Sequence, residues 1–130
     1  MTDLVMHTFE LAAGRTTDIT ADVYRRYYDR APDSQALMSH VDHYMQGRML
    51  DEVLTLLMTE AAELPEGYLH FEVANHASYG VQLDMYRHLF EAVRESVQAL
   101  TGDDWDEACA EAWRQRIDEL MQAINAAAPG

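Results

Sequence analysis

Apolar residues in this chain recur three and four positions apart, and no stretch of useful length alternates apolar with polar. A period of 3.6 residues gathers such positions on one face of a helix, whereas a half-buried strand needs period two. The first stripe is Val23, Tyr24, Tyr27 and Tyr28; the second is Met45, Met49, Leu50, Val53, Leu54 and Leu57. Met85, Leu89, Val93, Val97 and Leu100 make a third, and Cys109, Trp113, Ile117, Leu120, Met121 and Ile124 a fourth. Breakers separate them at Gly14-Arg15-Thr16-Thr17, Ala31-Pro32-Asp33, Leu64-Pro65-Glu66-Gly67, Gly80 and Thr101-Gly102. Asp18 is placed to cap the helix that ends near Arg30, and Pro32 to open a short turn of helix through Met38. Asp103, Asp104 and Asp106 suit the positive N-terminal end of the last helix. The reading is an all-α chain: short helix, helix, helical turn, long helix, a shorter helix over 69–77, and two long helices. Periodicity alone does not choose how they pack.

The 130 residues make one domain, 1–130, whose ends at 1–8 and 126–130 are expected to fray. A chain of this length buries roughly two-thirds of its unfolded surface and needs no staple. The single cysteine, Cys109, excludes an internal disulfide framework and reads as a small buried hydrophobe. Acidic residues number 23 against 9 basic, a net charge of -14. Phosphate backbones and anionic lipid surfaces are bound through Lys and Arg clusters, so neither nucleic acid nor membrane is an expected partner. Every basic residue is Arg, which removes lysine Schiff-base and P-loop chemistry. No run of 18 apolar residues occurs, and MTDLVMHTFE does not read as a secretory leader, so the expected location is cytoplasmic.

Six histidines are the first candidates for chemistry: His7, His40, His43, His70, His76 and His88. His40 and His43 stand at i, i+3, a spacing that chelates a metal when both lie on one helix. Surface exposure is the plainer reading for His7, His40, His43 and His88. His76 differs. It ends the apolar face of the short helix and precedes the turn Ser78-Tyr79-Gly80-Val81, an arrangement that suits an inward-pointing axial ligand. A core histidine bonded to a carbonyl fits the same position equally well.

The stretch Asn75-His76-Ala77-Ser78-Tyr79-Gly80-Val81, with Tyr86 ten residues after the histidine, resembles the proximal segment of bacterial globins. The likeness extends to single-domain globins and the haem domains of flavohaemoglobins. Gln46-Gly47-Arg48-Met49-Leu50 is similar to their distal-helix motif. The run from Val23 to Pro32 is similar to their second helix, with the distal tyrosine at Tyr24 and a core aromatic at Tyr28. Ala112-Trp113 matches a frequent pair of the last helix. These segments occur in the family's order over residues 9–125. Between the bundle and the globin-like packing that periodicity leaves open, the resemblance implies the globin fold: about six to eight helices in a three-over-three sandwich around haem b.

The resemblance further implies iron held by the imidazole of His76. Gln46 and Leu50, four apart, would share a helical face. Leu50 would seal the distal side, while Gln46 and the Tyr24 hydroxyl would donate to bound O2. A donor worth roughly 1.5–3 kcal/mol changes affinity about 10- to 150-fold. A core tyrosine on a backbone carbonyl and a solvent-facing glutamine are the competing readings. Val81, Tyr86 and Met38 would contact the haem, and Arg48 would reach a propionate or else stay solvated. Met38, Met45, Met49 and Met58 read as core filling rather than as ligands.

Three departures stand out. Met38 occupies the position of the family's rigid haem-packing phenylalanine. The glutamate that flavohaemoglobin-type globins bring from the last helix to the proximal histidine would fall near Ala128, and Glu119 comes more than two turns too early. No Gly-x-Gly-x-x-Gly occurs, so multi-turnover redox chemistry would call on an external reductase. The expected function is reversible binding of O2, NO and CO, for oxygen transport or NO detoxification, by a monomer or homodimer. The alternative is a sensor or interaction module that has lost haem. Five-coordinate or water-bound iron is expected, with His43 the better internal competitor for the sixth position.

Overall fold

The computed structural model describes residues 3–128, in which seven α-helices and no strand occur. They are α1 (Leu4–Ala13), α2 (Thr20–Arg30), α3 (Pro32–Leu37), α4 (His43–Met58), α5 (Tyr68–Ala77), α6 (Leu83–Thr101) and α7 (Glu107–Ala127). Five of these starts have a clear local cause. Asp3, Asp42 and Asp106 accept from the backbone N–H three residues on, at 3.2, 2.8 and 2.9 Å. Pro32 stands in the first turn of α3, and Asp18 accepts from the Thr20 N–H at 2.9 Å just ahead of α2.

Helix α6 is the organising element: α1, α2 and α7 all pack on it. The centre holds Trp113, Phe90, Leu57, Ile117, Leu120, Ile124 and the valines 5, 23, 93 and 97, all nearly or wholly out of water. Cys109 is buried here as well. Burying such side chains contributes roughly 1.5–3 kcal/mol each.

The N-terminal segment is tied to the rest of the fold by long-range contacts. Residues 4–8 lie in α1, with Val5, Thr8 and Phe9 buried. The Trp113 indole N–H donates to the Thr8 hydroxyl at 2.9 Å, and that hydroxyl donates to the Val5 carbonyl at 2.7 Å. Arg116, 8 % exposed, donates to the Leu57 carbonyl and pairs with Asp3 at 3.0 Å. These bonds join α1, α4 and α7 far along the chain, a tie that local periodicity does not reveal. At the other end Ala126 and Ala127 belong to α7 and Ala128 caps it. Residues 1, 2, 129 and 130 of the expected frayed ends lie outside the described residues.

Candidate functional site

A cavity of about 590 Å³ opens between α4 on one side and α5 and α6 on the other. Its size falls within the roughly 300–1,000 Å³ usual for small-molecule sites. Helix α4 contributes Met45, Met49, Glu52, Val53 and Leu56. The facing wall is Leu69, Val73 and His76 of α5 with Met85, Tyr86, Leu89 and Phe90 of α6. Leu37, Met38, His40 and Val41 close one end, and Val81 follows the α5–α6 turn. Tyr27 reaches in from α2, and Ile124 is the contribution of α7. The lining is predominantly apolar. Its carboxylates among the described residues are Glu52 and Glu72.

His76 occupies the last turn of α5. Its Nδ1 lies 2.8 Å from the Glu72 carbonyl oxygen, one turn back. A carbonyl only accepts, so Nδ1 carries the proton, and Nε2 is left with a lone pair. The chain then turns sharply. The His76 carbonyl accepts from the Tyr79 N–H at 3.0 Å and the Val81 N–H at 3.2 Å. Gly80 makes this turn with φ +91, and a Cβ there would stand 3.4 Å from Leu37 Cδ1. Glycine is therefore used for its left-handed backbone, while the space beside it would hold a Cβ in ordinary contact.

Two further groups flank the imidazole. Glu72 Oε2 lies 3.7 Å from Nδ1. The Tyr86 ring stands edge-on to the imidazole, with centroids 6.2 Å apart at 74°. Its hydroxyl is buried without a hydrogen-bond partner among the described residues. Burial, with the Glu72 carboxylate and Tyr27 adding to it, pushes that hydroxyl up to about 12.

Of the residues singled out from sequence, His76, Met38, Val81 and Tyr86 lie on the cavity walls, while Tyr24, Gln46, Leu50 and Arg48 do not. The Tyr24 hydroxyl donates to the Gln46 backbone carbonyl at 3.2 Å, and Gln46 Nε2 donates to the Tyr28 hydroxyl at 3.3 Å. Both side chains border a separate groove that also contains His43. Leu50 is 2 % exposed in the core, and Arg48 lies on the outer face of α4 beside Tyr44 and Met45. The physical reason is the rotation of α4. One residue step turns a helix by about 100°, so turning Met45, Met49 and Val53 toward the cavity carries Gln46 and Leu50 off it. His40, not His43, reaches the cavity. It sits in the loop before α4, while His43 is the first residue of that helix, so the pair does not share a helical face. Sequence reasoning missed Tyr27 and Glu72. The i, i+4 spacing of Glu72 and His76 was the available signal for the latter.

Among the described residues no three His, Cys, Asp or Glu side chains cluster as a metal site. A metal held in this cavity would therefore have to arrive with most of its ligands already supplied. A single inward imidazole with its Nδ1–H committed, facing apolar walls of this extent, fits an iron macrocycle.

A protein-family model described as Globin matches residues 21–124, a span from α2 to α7 that takes in every wall of the cavity. No curated protein matches the chain. With most of the sequence inside that match, the chain belongs to the globin family, whose fold it has and whose members generally bind haem and diatomic gases.

Proposed function

We propose that the chain binds haem b in the cavity between α4 and α5–α6, with His76 as the protein ligand to iron, and binds O2, NO or CO reversibly. The carrying observation is the 2.8 Å bond from His76 Nδ1 to the Glu72 carbonyl, which sets the tautomer that offers Nε2 to a metal. Haem, when bound, would supply the iron centre that takes the gas. Met38 and Val81, on the cavity wall, would hold the macrocycle, and Tyr86 stands edge-on to the imidazole. Met45, Met49 and Val53 keep water from the gas-binding face with apolar bulk. Hydrogen-bond donation from Gln46 or Tyr24 forms no part of this reading. Met38, in place of a rigid aromatic, lowers haem retention relative to a phenylalanine.

The ordered motifs around Tyr24, Gln46, His76 and Tyr86 support likeness to bacterial single-domain globins. A carboxylate beside the proximal imidazole favours NO oxidation with an external reductase over simple oxygen transport, because electron donation through the histidine assists redox turnover. The test is reconstitution with haemin, reduction with dithionite and exposure to CO. One haem per chain, with a Soret band that shifts on CO addition, is the expected result. A spectrum indistinguishable from free haem overturns the proposal.

A further inference from the structure

Glu72 and His76 stand one turn apart on α5, and Glu72 presents two acceptors to the same ring nitrogen. Its carbonyl oxygen lies 2.8 Å from Nδ1 and its carboxylate Oε2 3.7 Å away. The carbonyl takes the hydrogen bond. The carboxylate, beyond hydrogen-bond length, acts on the N–H through its field. Both side chains are only partly exposed, 26 % for Glu72 and 31 % for His76, and both line a largely apolar cavity. A charge at such a wall is screened less than on an open helix surface. Ile124 is the one residue of α7 on this cavity among the described residues, so the last helix brings no carboxylate to it. The other acid, Glu52, belongs to the opposite wall.

We propose that Glu72 is a positioning residue that, from within α5, orients the His76 imidazole and makes it a stronger electron donor to a bound metal. The inference rests on the haem-binding reading. Acceptors behind a metal-bound histidine fix its tautomer and raise its basicity. Here one residue supplies both, the carbonyl setting direction and the carboxylate setting charge. Tyr86, edge-on to the ring, restrains it from the second side. An ordinary i, i+4 surface pair would have a different consequence: it would add a little helix stability and leave the metal unchanged.

The test uses Glu72→Gln, which keeps the backbone carbonyl and the side-chain volume but removes the charge. The ferrous haem protein is read by resonance Raman for the iron–histidine stretch and by redox titration for the midpoint potential. Glu52→Gln serves as the control for a general change in cavity charge. We expect the stretch to fall in Glu72→Gln and the ferrous-to-ferric ratio at fixed potential to rise three- to tenfold, tenfold being about 59 mV for one electron. Glu52→Gln should leave the stretch in place. Glu72→Asp, which keeps the charge one methylene further back, should fall between wild type and Glu72→Gln and serves as the reading if the glutamine variant loses haem. An unmoved stretch, or equal shifts in the Glu72 and Glu52 variants, overturns the inference while leaving the haem reading intact. Failure of the wild type to take up haem overturns the reading itself, and this inference with it.

Discussion

The Tyr24 hydroxyl is pushed above its ordinary pKa by burial, with Tyr28 and Tyr27 adding to the effect, and it donates to a helix carbonyl rather than into the cavity. Tyr24→Phe should therefore cost about 0.5–1.5 kcal/mol of folding stability, the net worth of one such bond. O2 release should change by less than about twofold, since the affinity term for a lost donor would be roughly tenfold or more. Denaturant unfolding and O2 dissociation kinetics on the same variant decide between a structural and a ligand-facing hydroxyl. His76 was legible in the sequence because a helix end, a glycine turn and an apolar residue follow one another locally. Which way Tyr24 and Gln46 face was not legible, because it depends on how α2 and α4 rotate, which is set by distant partners.

Helix α4 explains that ambiguity. It carries two apolar faces: Leu50 and Leu57 enter the core, while Met45, Met49, Val53 and Leu56 line the cavity. A single stripe fixes a helix's rotation; two stripes leave it to packing. The elements themselves were legible from periodicity and breakers, since α2 to α7 follow the stripes and turns closely. Contacts between elements add their own predictions. Asp22 of α2 accepts from Arg26 at 2.8 Å and from Ser96 of α6 at 2.7 Å, while Arg26 and Arg30 reach Glu95 at 3.6 and 2.6 Å. Partial burial works to raise the Asp22 pKa, but hydrogen bonds from Arg26, Ser96 and Arg25 outweigh it and hold the carboxyl at about 2, below the ordinary 3.8. A depressed folded pKa gives stability that is present above the unfolded value and is lost as pH falls through the folded one. The α2–α6 contact should therefore weaken between about pH 4 and pH 2. Asp22→Asn should flatten acid unfolding in that window, as followed by circular dichroism. At the α5–α6 turn, Gly80→Ala meets a positive φ of +91. A left-handed residue costs about 1–2 kcal/mol. Thermal unfolding should report that loss, and haem release should quicken because the turn positions His76.

At the scale of the whole molecule, long-range ties join helices far apart in the chain. Thr8→Val removes the acceptor for the buried Trp113 indole N–H and should destabilise by about 1–3 kcal/mol, the cost of an unpaired buried donor. Such a bond, spanning α1 to α7, has no local sequence signature. Net charge acts at this scale too. A chain of charge -14 repels an anionic cofactor. Haem uptake should therefore speed up as ionic strength rises from about 0.01 M to 0.15 M and the screening length falls from about 30 to 8 Å. Stopped-flow mixing of apoprotein with haemin measures this; uptake that slows with salt would point to a local cationic entry site instead. Ligation of iron by the one imidazole of His76 is tested by haem titration of His76→Gly with and without added imidazole, read by absorption of the ferrous protein. The wild-type spectrum should be lost and should return when imidazole fills the vacated space. An unaltered spectrum in His76→Gly without imidazole would contradict that ligation.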